Sequence, residues 1–370
     1  MIIFVTIVFF VYLLVILKFS SGIYYDKNKK NDNFHPFISV IVAARNEEHS
    51  LPKLLKALSS QTYPKEKYEV IIVDDRSTDS TSAVVDNFKN DFKNLILLKI
   101  DETPLGWSNK KWALKRAIEN STSNILLQTD ADCVPRKEWI NSMIDHFKDP
   151  NVGLVCGPTP LIHQDSFLSS IFEMESLTQE SVNAGAIKNK FYLSCTGRNI
   201  AFTKDIFKKV DGYIGNEHIK SGDDDLLLQK IATKTNSKID YSINPNSIVV
   251  SQAPIDFDNF IKQRLRYASK GLYYFQSSTT FELKFFLILL FITNLSFIFL
   301  MFSTLIHLKI IYLFLIFIKA IADFFISSIF FGKLKKNWSL LTYLVLTILH
   351  PFYVVSVGLL GPMWNISWKK

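Results

Sequence analysis

Ile125-Leu126-Leu127-Gln128-Thr129-Asp130-Ala131-Asp132 carries an apolar run of strand character into two carboxylates two residues apart. In an open α/β sheet, ligands collect outside the carboxyl ends of the strands, so both acids stand where a pocket is expected. Hard divalent cations such as Mg²⁺ and Mn²⁺ take oxygen ligands, and bind through one or two carboxylates plus substrate phosphates. An Asp-x-Asp by itself is weak, because acids at strand ends also serve as turn and capping residues. Its weight comes from what flanks it.

Upstream, Ile38-Ser39-Val40-Ile41-Val42-Ala43 reads as a buried strand. It is followed by Arg45-Asn46-Glu47-Glu48 and a helix with Leu51, Leu54, Leu55 and Leu58 on one face. Val70-Ile71-Ile72-Val73 is a second strand, ending at Asp74 and Asp75, after which Ser77, Thr78 and Asp79 offer N-cap chemistry. Strands at 95–100 and 125–127 flank a helix over 108–119, and 152–155 is a further strand candidate. Strands alternating with helices imply a parallel, doubly wound α/β sheet. Glu47, Asp74, Asp75, Asp130 and Asp132 then gather at successive strand ends, where like charges repel unless a cation or hydrogen-bond donors compensate. A metal supplies the charge, and a nucleotide supplies base N–H and ribose hydroxyl donors. Further on, Ser221-Gly222-Asp223-Asp224-Asp225-Leu226 opens a helix, and the helix dipole accounts for one or two of its three acids. Gln263-Arg264-Leu265-Arg266-Tyr267 lies in a basic, aromatic stretch with the character of an amphipathic interfacial helix.

The apolar residues are unevenly spread, and the 31 phenylalanines concentrate at the two ends. Residues 2–17 are apolar throughout, and 283–306, 309–331 and 339–361 are each long enough to cross a bilayer, which takes about 20 residues. The organisation expected is one N-terminal transmembrane helix (1–19), a large extramembrane domain (34–254), interfacial amphipathic helices (255–281) and three more transmembrane helices (282–364), with a charged linker at 28–33. A cleaved signal peptide fits the N-terminus poorly, since nothing basic precedes Ile2 while Lys18, Lys27, Lys29 and Lys30 follow it. The positive-inside rule places the segment after Lys18 in the cytoplasm, and Lys333, Lys335 and Lys336 agree under four-span counting. An integral protein of the plasma (inner) membrane with its large domain in the cytoplasm is expected. The net charge of +8 suits an anionic leaflet. Basic residues interspersed with acids, without a nucleic-acid-binding signature, argue against nucleic acid as partner. Cys133, Cys156 and Cys195 are odd in number and lack metal-ligand spacing, which in a reducing compartment suggests buried thiols. Lys319 and Asp323 share a helix face within the third span, where a mutual ion pair is expected.

Together these residues resemble a membrane-bound family-two glycosyltransferase, of the group that contains ceramide glucosyltransferases and the cellulose, hyaluronan and poly-N-acetylglucosamine synthases. The likeness runs over residues 36–270. Asn46-Glu47, Val73-Asp74-Asp75-Arg76-Ser77-Thr78-Asp79, the Lys-x-x-Ala-Leu of Lys110, Ala113 and Leu114, and Asp130-Ala131-Asp132 stand in family order. Gly222-Asp223-Asp224-Asp225-Leu226 falls on the family's Glu-Asp-x-x-Leu, and Gln263 to Tyr267 on its Gln-x-x-Arg-Trp. Gly222 stands where the family often has Glu, which leaves Asp223 and Asp224 both open as the catalytic base. Tyr267 replaces Trp.

The resemblance implies an A-type glycosyltransferase fold, a doubly wound mixed sheet with added transmembrane helices, and inverting hexosyl transfer. The donor is a nucleotide-diphosphate sugar, the acceptor a lipid-linked or membrane saccharide or lipid, and the cofactor a divalent metal (Mg²⁺ or Mn²⁺) held by Asp132 with Asp130. It further implies Asp74 or Asp75 at the nucleotide base, Asp130 near the ribose, and Asp223 as the group that deprotonates the acceptor. Glu47 joins the donor side, Lys110, Arg264 and Arg266 the phosphate contacts, and Arg198, Gln263 and Tyr267 the acceptor side. A processive polysaccharide synthase is the alternative within the family; three C-terminal spans are few for a translocation channel, which a homo-oligomer would supply. A nucleotidyltransferase would need a glycine-rich loop after the first strand, and Ala43-Ala44-Arg45-Asn46 has no glycine. A non-catalytic subunit of a polysaccharide-export complex would have lost the acidic residues, which are present. Reporters fused after Lys30 and after Lys336 should both register as cytoplasmic, and a signal from the opposite side at either point would overturn the four-span topology.

Overall fold

A computed structural model describes residues 2–26, 34–162, 166–307 and 309–363, so the linker expected at 28–33 lies outside the described residues. The chain divides into two units, one of residues 34–160 and 194–252, the other of 2–26, 161–193 and 253–363. The run expected as one domain over 34–254 thus leaves the first unit at 161 and returns at 194.

Among the described residues ten strands occur: β1 (Ile38–Ala44), β2 (Tyr68–Asp74), β3 (Leu95–Lys99), β4 (Ile125–Gln128), β5 (Cys133–Pro135), β6 (Val152–Cys156), β7 (Leu161–Ile162), β8 (Ile200–Thr203), β9 (Lys238–Tyr241) and β10 (Val249–Gln252). The main sheet runs in the order β3-β2-β1-β4-β8-β6-β9. β1, β2, β3 and β4 pair in parallel, with Ala44 opposite Asp74 and Ile41 opposite Gln128, so their carboxyl ends leave the sheet at one edge. The sheet is mixed, because β8 runs antiparallel to both β4 and β6. The parallel pairing expected from strand–helix alternation thus holds for β1–β4 and again for β6 with β9, and β8 interrupts it. β8 is only four residues long and carries no periodic signal of its own.

All seven residues of β2 are buried, as a sheet covered on both faces requires. Leu51, Leu54, Leu55 and Leu58 of the helix Leu51–Ser59 supply one cover, and Trp139, Ile140, Met143 and Ile144 of Trp139–Ile144 join the same core. Burying an apolar side chain of this size contributes about 1.5–3 kcal/mol, so these eight side chains hold the sheet firmly in place.

Among the described residues the second unit contains four helices with the length and composition of membrane spans: Ile2–Tyr24, Phe281–His307, Ile310–Leu334 and Leu340–Met363. The first runs past the boundary expected at 19, and the last helix continues through Pro351. Ile3, Phe4, Ile7, Phe10, Phe314 and Phe317 are exposed on them, an apolar surface of the kind that suits a lipid phase. A further helix, Phe167–Lys188, packs against these spans. Gly185 permits its close approach, because a Cβ there would lie 2.5 Å from the Phe19 carbonyl oxygen. Lys319 and Asp323 form the expected ion pair at 2.8 Å, and Tyr12 of the first span donates to Asp323 at 2.7 Å. The pair therefore ties helices together within the bundle.

The helix Phe257–Ala268 is amphipathic, as expected. Its Arg264 is buried, bonded to Glu175 and to Gln179 (3.2 Å), with Phe260 and Tyr267 rings against the guanidinium. Burial raises the Glu175 carboxyl, opposed by Arg264 and by a hydrogen bond from Tyr353. One guanidinium thus fastens two helices. Removing a single partner of a buried ion pair costs about 3–5 kcal/mol, while replacing both by apolar groups is often neutral. Arg264→Leu should lower Tm in detergent and Arg264→Leu with Glu175→Leu should regain most of the loss; an unchanged Tm in the single variant would refute the latch.

Candidate active site

Past β4, Asp130 and Asp132 occupy a tight turn in which the Cys133 N–H donates to the Asp130 carbonyl at 3.1 Å. The chain then enters β5, which pairs antiparallel with β10. The turn is thereby held at both ends, and Asp132 projects its carboxylate to the exposed side.

Lys110, near the start of the helix Asn109–Asn120, reaches two acids at once. Its ammonium lies 2.9 Å from Asp130 Oδ1 and 3.2 Å from Asp223 Oδ2. Burial alone would lower the Lys110 ammonium, but Asp130, Asp223 and Asp224 hold it well above the usual lysine range. Burial would likewise raise the Asp223 carboxyl, yet Lys110 and then Lys111 hold it below the usual carboxylate range. Asp223 is therefore an ionised, buried carboxylate at neutral pH.

Asp224 is differently engaged. It is the N-cap of the helix Asp225–Lys234, accepts from the Asp225 N–H at 2.7 Å, and accepts from the Gly197 N–H at 2.6 Å. Gly222 takes φ +84°, and a Cβ there would lie 2.8 Å from the Leu226 side chain. The glycine found where the resembling family often has Glu is thus required by the backbone.

Glu47, Asp74 and Asp75 form a second group after β1 and β2. Asp74 accepts from the Ser77 N–H at 2.9 Å and from the Ser82 hydroxyl. Asp75 is paired with Arg76 at 2.8 Å and lies 3.8 Å from Arg45. The two loops zip together: the N–H groups of Asn46, Glu47 and Glu48 donate to Ser77 Oγ (3.0 Å), Thr81 Oγ1 (2.8 Å) and Asp79 Oδ2 (3.1 Å). The side chains expected to cap the following helix are used partly in this cross-loop lock. Ser80 is the N-cap, without a side-chain bond. Asn46 and Arg76 both adopt left-handed backbone (φ 53° and 57°), conformations that persist only where the surroundings impose them.

Arg198 donates to Thr196 Oγ1 at 3.1 Å and to Ser251 Oγ, beside the β5–β10 ribbon. Asn199 is fully buried, and its amide is taken up by Trp139 Nε1 and the carbonyls of Pro158 and Ser247. Gln263, Arg264, Arg266 and Tyr267 belong to the other unit, where Arg264 holds Glu175 and the Arg266 guanidinium lies over Tyr267. Cys133 and Cys156 are buried, Cys195 is partly so, and all three are free thiols. One site residue had no signal in the sequence beyond being an amide at the end of an apolar run: Gln128, fully buried, donates to Asp223 Oδ2 at 3.0 Å.

Among the described residues no three His, Cys, Asp or Glu side chains converge as metal ligands. Asp132, exposed and oxygen-bearing beside Asp130, fits the hard-cation pattern in which the protein gives one or two carboxylates and the substrate's phosphates complete the shell.

A buried carboxylate, a bridging ammonium and an Asp-x-Asp turn thus meet at one edge of a mixed sheet. Residues 39–210 match glycosyl transferase family 2, and residues 125–359 match glycosyl transferase family group 2. The chain belongs to this family of glycosyltransferases. It is 31% identical over 193 residues to glycosyltransferase AglE of Haloferax volcanii, covering 51% of this chain and 59% of that protein. It is 32% identical to a beta-monoglucosyldiacylglycerol synthase of Nostoc over 32% of this chain and 25% of that one. The chain therefore spans less than two thirds of either relative. Its fold is that of the mannosyltransferase PcManGT of Pyrobaculum calidifontis, solved with GDP-Man and Mn²⁺ (TM-score 0.61, 19% identity, 98% and 97% of the two chains).

Proposed function

We propose that this protein is an inverting membrane hexosyltransferase that moves a sugar from a nucleotide-diphosphate donor to a lipid-linked or membrane acceptor, from the cytoplasmic face. The observation that carries it is the Lys110 bridge between Asp130 and Asp223, which couples a donor-side acid to a buried, ionised base. The glucolipid synthase among the relatives and the four apolar helices support a lipid-side acceptor. The family's A-type fold supports nucleotide-sugar chemistry.

In this reaction Asp223 accepts the proton of the acceptor hydroxyl as its oxygen bonds to the anomeric carbon and the bond to the diphosphate breaks. An attack from the face opposite the leaving group inverts the configuration. Lys110 holds the Asp223 carboxyl below the usual carboxylate range, and its ammonium also pairs with Asp130. The zipped loops around Asp74, Asp75 and Glu47 fix the nucleoside end, with the Asp75 carboxylate oriented by Arg76 and Arg45. Asp132 with Asp130 would hold a divalent metal, which when bound neutralises charge on the diphosphate leaving group.

Asp132→Asn should abolish the metal dependence of nucleotide-sugar binding measured by calorimetry and bring transfer near zero. Undiminished donor binding and turnover of the wild-type protein in chelator would contradict the metal role. Asp223→Asn should cut nucleoside diphosphate release about a hundred- to ten-thousand-fold, the usual cost of losing one general base, with donor affinity retained. Asp224→Asn keeps a competent cap and should retain most activity. The opposite pattern would move the base one residue along.

A further inference from the structure

We infer that Gln128 is a positioning residue for the Asp223 carboxylate, and that Gly197 is kept bare to make room for that contact. This rests on the reading of Asp223 as the base. Gln128 ends β4, two residues before the Asp-x-Asp turn, and is fully buried. Its position in the sheet is fixed on both sides, opposite Ile41 of β1 and Ile200 of β8. From this rigid place its Nε2 donates to Asp223 Oδ2 at 3.0 Å and lies 3.3 Å from the Gly197 carbonyl. Gln128 Oε1 is buried with no hydrogen-bond partner among the described residues. A wholly buried amide with half its polar capacity unused is poor core chemistry. Its retained half is directed at the base.

Gly197 shows the same constraint from the other side. A Cβ on it would lie 2.8 Å from Asp223 Oδ2 and 2.9 Å from Gln128 Nε2. Both contacts are shorter than real Cβ contacts allow, so a side chain at 197 must displace the carboxylate, the amide or both, and disturbs their contact. Asp223 Oδ2 thus receives two donors, Gln128 and Lys110. That leaves Oδ1 to take the acceptor proton. Lys110 is a flexible point charge on a long stem, whereas Gln128 is set in a sheet, so the rotation of the carboxylate is governed by the amide. A misplacement of about 1 Å in a reacting group can cost a hundredfold in rate.

The test uses full-length protein in detergent, with kcat, KM and nucleotide-sugar affinity measured for Gln128→Leu, Gly197→Ala, Asp223→Asn and Asp223→Asn combined with Gln128→Leu. Gln128→Leu should lower kcat about 10- to 100-fold, with donor affinity and Tm close to wild type, and Gly197→Ala should do the same by crowding. In the Asp223→Asn background, Gln128→Leu should add no more than a twofold loss to the residual turnover, because its effect passes through the base. Wild-type kcat in Gln128→Leu beside an inactive Asp223→Asn would overturn this inference while leaving the base in place. Equal fold losses from Gln128→Leu in both backgrounds, or a loss tracking donor affinity, would also overturn it. Wild-type turnover in Asp223→Asn would instead remove the base, and this inference with it. Should Gln128→Leu not fold, the kcat of Gly197→Ala decides, with wild-type turnover there counting against the proposal.

Discussion

The site depends on one ammonium placed between two acids. Lys110 touches Asp130 on the turn after β4 and Asp223 ahead of the helix Asp225–Lys234, residues more than ninety positions apart in sequence. Without a cation there, two carboxylates in a part-buried site would repel, and one would take up a proton. With it, Asp223 stays ionised although burial opposes this. Much of the surrounding structure serves that contact. The parallel strands carry the acids to one edge, the helix Asn109–Asn120 aims the lysine, and Gly222 lets the chain turn sharply before Asp223.

Rigidity in this unit comes from backbone N–H groups that donate to side chains. Backbone N–H groups of 46–48 are bonded to side chains of 77–81, so two loops that would each be mobile alone form one clasp. Asp224 fixes the chain next to Asp223 through Gly197 and its own helix. Such bonds contribute about 0.5–1.5 kcal/mol each, or about 1.5–3 kcal/mol where a carboxylate accepts, and they also specify geometry. In the other unit the buried pairs Arg264–Glu175 and Lys319–Asp323 join helices in the same manner, with Tyr12 extending the second. Charges in an apolar setting must be matched, and the matching sets which helices meet.

The chain's departures from the pattern it resembles acquire physical reasons. Gly222, where that pattern often has Glu, lies in left-handed backbone that glycine favours. The arginine of the Gln263–Tyr267 element is committed to Glu175, a partner on a helix that the sequence alone did not single out.

The sequence by itself determined the strands β1–β4 and the covering helix of Leu51, Leu54, Leu55 and Leu58, because long apolar runs and helical spacing follow from burial alone. It determined the four apolar helices by length and composition, the Lys319–Asp323 pair by i,i+4 spacing, and the acids at strand ends by their place after apolar runs. Only the tertiary structure decided what those acids are bonded to. β8, four residues long, inserts antiparallel between β4 and β6, and the helix Phe167–Lys188 leaves its sequence neighbours for the apolar bundle. The choice between Asp223 and Asp224 was open in sequence because adjacent acids look alike. The fold separates them by giving one to a lysine and a glutamine and the other to backbone N–H groups. Gln128 was invisible for the same reason: a hydrogen bond across 95 residues of chain has no local pattern, and exists only once the sheet has brought its two ends together.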